Sequence, residues 1–315
     1  MNQDLIRNLN DLAKYHKQAG DRWRDQAYQK AISSIKTIPF TITDVSQVKN
    51  LPGVGSKIRE KINQFLMTGD ISQVGEIKKT RKRLETANTK AGAIFRLERV
   101  WGVGPVKANS LYEAGITTID KLNKNKHLLN RQQLIGLKYY DDLIRRIDRE
   151  DIFMFNVLLV YTLNKEFGKG SYDLEIAGSY RRGESDSGDI DCLIHSKSFT
   201  LEDAVAVLKD AGVIAEVLAT KESKFEGVAF SPTGGGQYLR LDIEFVKHDD
   251  EWGSEMLYFT GNKGINIMMR GEAKKKGLIL NQRGLFNRDG KRIPAYTEKE
   301  IFQALGVSYI DPKNR

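Results

Sequence analysis

Apolar positions in the first 70 residues recur at helical spacing. Leu5, Ile6, Leu9, Leu12 and Ala13 form one stripe, expected to end near Gly20. Trp23, Ala27, Ala31 and Ile35 form a second, stopped by Pro39. Within 51–69 a glycine turn opens a third helix, with Ile58, Ile62, Phe65 and Leu66 on one face. The run KKTRKR at 78–83 reads as an exposed basic linker, and a second helical unit is expected over roughly 84–147. Beyond about residue 150 the period shortens. Segments 174–180, 189–195, 228–232 and 238–246 read as strands, with a helix at 201–211 among them. From about 248 onward a helix at 262–276 is mixed with short strands. The expected fold class is multidomain, α followed by α+β, with units at 1–80, 84–147, 148–247 and 248–315.

Composition narrows the classes. With 315 residues, 40% of them hydrophobic and 29% charged, the chain reads as a soluble protein able to bury real cores. No apolar run approaches the roughly 20 residues that cross a bilayer, and the first 18 residues lack the pattern of a signal peptide. An intracellular protein with no membrane association is expected. The single cysteine, Cys192, excludes an internal disulfide and fits a reducing compartment. One cysteine and four histidines also make a structural zinc site an unfavourable reading.

The charge is uneven. Residues 1–150 carry 28 Lys and Arg against 16 Asp and Glu, whereas residues 151–315 carry 22 against 25. A basic half suits a polyanion such as nucleic acid, although a solvated basic surface would look the same. Two segments in that half repeat one pattern 49 residues apart: Leu51-Pro52-Gly53-Val54-Gly55 and Val100-Trp101-Gly102-Val103-Gly104. In each, glycines allow close approach of backbone to phosphate, and the helix behind them offers unpaired N–H groups. This is a helix-hairpin-helix pattern, which grips DNA backbone without reading its sequence. Lys57 and Lys61 follow the first turn at i and i+4, on one helix face. They read either as surface lysines making salt bridges or phosphate contacts, or as a nucleophile with a cationic neighbour that lowers its pKa.

The second half concentrates carboxylates. Asp189 and Asp191 are two apart in an expected strand and so share a face, while Ile190 and Cys192 face the other way. In YLRLDIEFV (238–246), Leu239, Leu241, Ile243 and Phe245 mark the buried face, leaving Arg240, Asp242 and Glu244 opposite. Adjacent carboxylates repel unless a cation lies between them, and Mg²⁺ meets that need with a few carboxylates plus substrate phosphates. Two such ions, for which Mn²⁺ can substitute, would activate a 3′-hydroxyl and stabilise a leaving pyrophosphate. Gly178, Ser179, Arg182, Ser187 and Gly188 lie close enough in sequence to cradle a triphosphate. The alternative is an acidic turn, for instance a calcium site.

With these residues in place, the chain resembles the family X DNA polymerases, most closely the beta type, along nearly its whole length. The match is carried by LPGVGSKIREKI (51–62), GVGPVKANSLYEAGI (102–116), GLKYYDDLIRRIDRE (136–150), GSYRRGESDSGDID (178–191) and LYFTGNKGINIMMR (257–270). The resemblance implies an N-terminal helical lyase-like domain, then a nucleotidyltransferase-type polymerase domain with a mixed β-sheet palm. It implies a monomer acting on gapped or nicked DNA with deoxynucleoside triphosphates, nuclear in a eukaryote. On this pattern Asp189 and Asp191 bind both metals and Asp242 binds the catalytic one. Ser179, Arg182, Ser187 and Gly188 hold the triphosphate, with Arg146 further off and Gly261 in the same pocket. Tyr258 and Phe259 select the sugar, Asn266 reaches the minor-groove edge, and Arg240 and Arg270 lie along DNA. Gly53, Gly55, Gly102 and Gly104 contact DNA backbone. The carbonyls of Lys49, Leu51, Val54, Glu98, Val100 and Val103 match Na⁺ or K⁺ positions in the two hairpins. Lys61 matches a Schiff-base lysine that removes a 5′-deoxyribose phosphate, supported by Tyr28, Lys57 and Glu60.

Several positions depart from the beta type. Trp23 and Arg24 replace a His-Lys pair at the 5′-phosphate. Lys263 stands where an aspartate flanks the incoming base, Gly264 removes bulk beside it, and Glu244 replaces a basic residue. These are expected to alter fidelity and domain closing more than chemistry. A template-independent terminal transferase would carry a longer loop than SPTGGGQ (231–237), and a non-catalytic DNA-binding relative would not need all three acids.

Overall fold

The computed structural model describes residues 2–18, 21–231, 233 and 236–315. The expected end of the first helix at Gly20, and residues 232, 234 and 235 of the 231–237 loop, fall outside these. Four helices open the chain: α1 (Gln3–Gln18), α2 (Arg22–Lys36), α3 (Ser56–Thr68) and α4 (Ser72–Thr86). Asp21 caps α2 by accepting a hydrogen bond from Arg24 N at 3.0 Å. Leu9, Leu12, Ile32, Ile35, Ile62 and Ile71 lie fully inside their shared core.

Two expectations fail here for physical reasons. Trp23 is 80% exposed, not part of the buried stripe. The buried positions of α2 are Asp25, Tyr28, Ala31, Ile32 and Ile35, and two residues, roughly 200° of helix, separate Trp23 from that face. The basic run 78–83 is not a linker but lies inside α4, because Ile71, Val74 and Ile77 anchor the segment to the core. Lys and Arg are good helix formers once one face is anchored.

A second helical unit follows: α5 (Lys90–Glu98), α6 (Pro105–Glu113), α7 (Ile119–Lys124), α8 (Arg131–Lys138) and α9 (Tyr140–Leu143). Its core gathers Leu97, Val100, Ala108, Leu111 and Leu122. Gly136 in α8 lies hard against the turn at Trp101, since a Cβ there would overlap Trp101 O and come within 2.8 Å of its N. The only side chain that fits is a hydrogen.

The sheet unit contains β1 (Ile147–Asp148), α10 (Arg149–Phe167), β2 (Tyr172–Ile176), α11 (Gly178–Arg181), β3 (Asp186–Ser187) and β4 (Ile190–Ser196). It continues with α12 (Leu201–Asp210), β5 (Ile214–Thr220), β6 (Lys224–Ser231) and β7 (Gln237–Val246). The five-stranded order is β2-β4-β7-β6-β5, mixed because β4 and β7 run parallel while the other pairs are antiparallel. Phe155, Leu159, Leu163, Leu208 and Phe225 fill the core between α10, α12 and the sheet. The expected strand over 174–180 ends at Ile176, and Gly178 turns the chain into α11 with φ +56°. α10 was not anticipated, because exposed Phe153, Met154, Val157 and Tyr161 blur its buried stripe.

The last unit holds α13 (Trp252–Thr260), α14 (Lys263–Lys275), the antiparallel β8 (Ile279–Asn281), β9 (Gly284–Phe286) and β10 (Arg292–Ile293), and α15 (Glu298–Ala304). Glu298 binds this unit to the sheet unit. Its carboxylate takes Arg181 Nη2 at 2.6 Å and also pairs with the buried Arg315. Among the described residues, no helix is long and apolar enough to cross a membrane.

Two glycines give opposite expectations for one substitution. Gly136→Ala should cost about 1–3 kcal/mol through overpacking, read as a lower midpoint in thermal melts. Gly271, exposed within α14 with open space around its missing Cβ, should gain about 0.5–1 kcal/mol on change to Ala. Equal effects at the two sites would contradict the packing described at Trp101.

Candidate active site

Strand register brings the acids together. Asp191 on β4 sits directly opposite Asp242 on the parallel β7, so their carboxylates leave one face of the sheet side by side. Asp189 lies in the bend just before β4, not in the strand as expected. Gly178 presses on this corner, because a Cβ there would overlap Asp191 Oδ2. Burial first, then the charges of Asp189 and Asp242, push the Asp191 carboxyl up to about 7. Asp242 is also raised, chiefly by burial, with Arg240 acting against the shift.

Arg240 pairs closely with Asp189 and lies 3.3 Å from Asp242 Oδ2. Its guanidinium also lies 5.5 Å from the centre of the Trp101 ring, which ties the second glycine turn to the acids. Asp242 Oδ1 is buried without a hydrogen-bond partner. Clustered carboxylates and an orphaned carboxylate oxygen form an oxygen donor set that fits a hard divalent ion such as Mg²⁺ or Mn²⁺, and Arg240 already answers their pull on positive charge. As they stand, no three acids among the described residues close round one point. Arg240 holds two of them.

A cleft of about 570 Å³ opens beside these acids. One wall carries Ser179 and Arg182, the other Tyr258, Phe259, Gly261, Asn266 and Arg270. Ser179 Oγ donates to Ser187 Oγ at 2.7 Å, and Arg182 Nη1 donates to Thr260 O at 2.7 Å. The rings of Tyr258 and Phe259 meet edge to face at 5.1 Å. Asn266 Nδ2 donates to Tyr258 O at 2.8 Å, and the Arg270 guanidinium lies 5.5 Å from the centre of the Tyr258 ring. Arg146 donates to the Asp186 carboxylate at 2.7 Å and lines a neighbouring cavity instead of this cleft, with Gly188 against its Nη1. Lys263, in the cleft wall, reaches away to Asp25 of α2 at 3.7 Å.

The two glycine turns share one conformation. Gly53 and Gly102 have φ +84° and +83°, and Val54 N and Val103 N donate to the carbonyls of Leu51 and Val100 at 3.1 and 2.9 Å. Gly55 and Gly104 begin α3 and α6 with open space where a Cβ would be. The second turn, from Glu98 to Gly104, faces Gly188 and Arg240 across a cleft of about 480 Å³. Lys49 is exposed on the approach to the first.

Lys61 lies on α3 with its amine donating to the Gln73 side chain. Its pKa is lowered, first by burial; Glu60 and Glu76 oppose that, and Lys57 adds the smallest lowering effect. Burial, not the neighbouring lysine, is the main cause. Tyr28 is buried, not surface-exposed, and burial pushes its hydroxyl up to about 12. It stacks on buried His16 at 5.6 Å. His16 escaped the sequence reading because a histidine in an amphipathic helix carries no spacing signal.

Four family models match in succession. A helix-hairpin-helix domain covers 1–71, the fingers domain of DNA polymerase lambda 96–144, the DNA polymerase beta palm 142–248, and the DNA polymerase beta thumb 255–315. Two curated relatives are both named DNA polymerase lambda. The one from Rattus norvegicus is 30% identical over an alignment of 335 residues, and the one from Arabidopsis thaliana 32% over 340. The alignments take in 100% and 99% of this chain but 56% and 62% of those relatives, so the chain spans somewhat more than half their length.

Because Asp191 titrates near pH 7, it must lose a proton to bind a metal. Mn²⁺ affinity, followed by electron paramagnetic resonance without DNA, should weaken about tenfold per pH unit below about 7. Asp191→Asn should remove both that slope and most of the affinity. A flat profile from pH 8 to pH 6 in the unmodified protein would contradict the raised carboxyl.

Proposed function

The chain belongs to the family X DNA polymerases, and from that premise we propose that it is a template-directed DNA polymerase filling short gaps, of the base-excision repair type. The observation that carries this reading is that Asp191 stands opposite Asp242, with Arg240 bridging Asp242 and Asp189, beside a cleft lined by Asp189, Asp191, Ser179, Arg182, Tyr258 and Phe259. Divalent ions held by the three aspartates would supply Lewis acidity toward the primer hydroxyl and the leaving pyrophosphate.

The chain's own residues do the rest. Asp242 Oδ1, without a partner, accepts the proton of the primer 3′-hydroxyl. Ser179, Ser187 and Arg182 hold the triphosphate by hydrogen bonds and charge, with Gly188 leaving room for backbone approach. Tyr258 and Phe259 crowd a ribose 2′-hydroxyl and so favour deoxynucleotides. Asn266 has a second amide N–H left to donate to the minor-groove edge of the nucleotide, and Arg270 meets the template strand. The two glycine turns grip DNA backbone on either side of the gap, with a monovalent cation at the carbonyls of Leu51 and Val100 and their neighbours.

A second activity is proposed at Lys61. A half-buried amine with a lowered pKa is neutral more often than an exposed lysine, and only the neutral amine attacks an aldehyde. Lys61 forms a Schiff base with the 5′-deoxyribose phosphate, losing water.

Extension of a primer on one-nucleotide-gapped, 5′-phosphorylated DNA tests the first reading. Templated deoxynucleotide addition should fall by more than about a thousandfold in Asp242→Ala. Untemplated addition would indicate a terminal transferase, and absence of addition a DNA-binding relative. For the second, borohydride trapping on incised abasic DNA should disappear in Lys61→Ala. Gln73→Glu should raise the Lys61 pKa and move the trapping profile to higher pH by about one unit; an unmoved profile would count against Lys61 as the nucleophile.

A further inference from the structure

A separate cavity of about 800 Å³ lies between α1 and α2 of the N-terminal unit and the sheet unit. It shares Ser179, Arg182, Asn262 and Lys263 with the cleft described above, so the two adjoin at the triphosphate end. Eight of its lining residues are Lys or Arg and four are Asp or Glu, which favours an anionic occupant. Among these acids Asp186 is engaged by Arg146 at 2.7 Å and Asp25 by Lys263 at 3.7 Å.

Lys36, at the end of α2, is the unusual member. It is half-buried and lines this cavity together with Arg182, a second cation. Burial and then Arg182 bring its pKa down to about 8, with Glu184 acting the other way. Among the described residues it makes no salt bridge. Two cations that line one confined space are stabilised by an anion held between them. The packing of α2 on α14 fixes this arrangement. Gly264 lies so close to α2 that a Cβ there would stand 2.6 Å from Ser33 Oγ, and the Lys263–Asp25 pair flanks that contact.

We propose that this chamber is a polyphosphate site, in which Lys36 of the N-terminal unit joins Arg182 in holding the terminal phosphates of a nucleoside triphosphate and then inorganic pyrophosphate. In the transfer the bond from the α-phosphorus to its bridging oxygen breaks. The departing β- and γ-phosphates carry their charge into the chamber while the primer oxygen bonds to the α-phosphorus. The N-terminal unit thereby takes part in the nucleotide step as well as in gripping DNA. This inference rests on the polymerase reading above.

The test uses the full chain as wild type, Lys36→Gln and Lys36→Arg, each checked for an unchanged melting midpoint. Binding of inorganic pyrophosphate without DNA is measured by calorimetry, alongside binding of gapped DNA with and without a 5′-phosphate. Lys36→Gln should weaken pyrophosphate binding about tenfold, and Lys36→Arg should keep it within about twofold. Wild-type affinity for pyrophosphate in Lys36→Gln would overturn the proposal. So would a loss confined to 5′-phosphorylated DNA, which would give the chamber to the downstream strand. Wild-type primer extension, run in parallel, separates the two readings. Extension with pyrophosphate binding indifferent to Lys36 sinks only the chamber; Lys36-dependent binding without extension sinks only the polymerase.

Discussion

Three carboxylates crowd one corner where β4 and β7 run parallel, and their mutual repulsion is the constraint around which the neighbouring elements are arranged. The parallel pairing sets Asp191 beside Asp242, and the bend before β4 swings Asp189 toward them. Burial removes the water that would screen them, so Asp191 holds its proton to about pH 7. Arg240, two residues before Asp242 on the same strand, supplies the compensating charge. The arginine in turn lies over Trp101, and Gly136 lets α8 close on the Trp101 backbone. A chain of contacts thus runs from the acids to the second glycine turn.

The repeated glycine turns show how one local solution serves in two surroundings. Gly53 is pinned against Lys30 and Ala31 of α2, with a missing Cβ that would stand 2.8 Å from the nearest atom. Gly102 is pinned against Gln133, whose side chain also donates to the Gly102 carbonyl at 3.0 Å. In both cases the positive-φ glycine faces protein and the second glycine faces open space. That division leaves the start of the following helix clear for an incoming phosphate.

The N-terminal unit is more than an appended grip. Through α2 it meets the last unit at Gly264 and Lys263, two positions that also border the nucleotide cleft or lie next to it. A lysine at 263 has an acid within reach on α2, where an aspartate would meet Asp25 with like charge. Residues distant in sequence are thereby joined in one electrostatic arrangement.

The alternation of YLRLDIEFV was enough to bury Leu239, Leu241, Ile243 and Phe245 and turn Asp242 the other way, because a strand's two-residue period is a local property. The glycine turns were equally legible, since positive φ is a demand on the residue itself. The helix at 262–276 and that at 201–211 followed from their periodicity. Only the tertiary structure could decide that β4 pairs in parallel with β7, with Asp191 opposite Asp242, because register joins segments some fifty residues apart. It also decided that Arg240 turns to the acids, that Trp23 faces water while Tyr28 faces the core, and that Lys36 and Arg182 line one cavity. Sequence carries the chemistry and the period of each segment. Partners, burial and the charge state they impose arise only once separate segments are packed against one another.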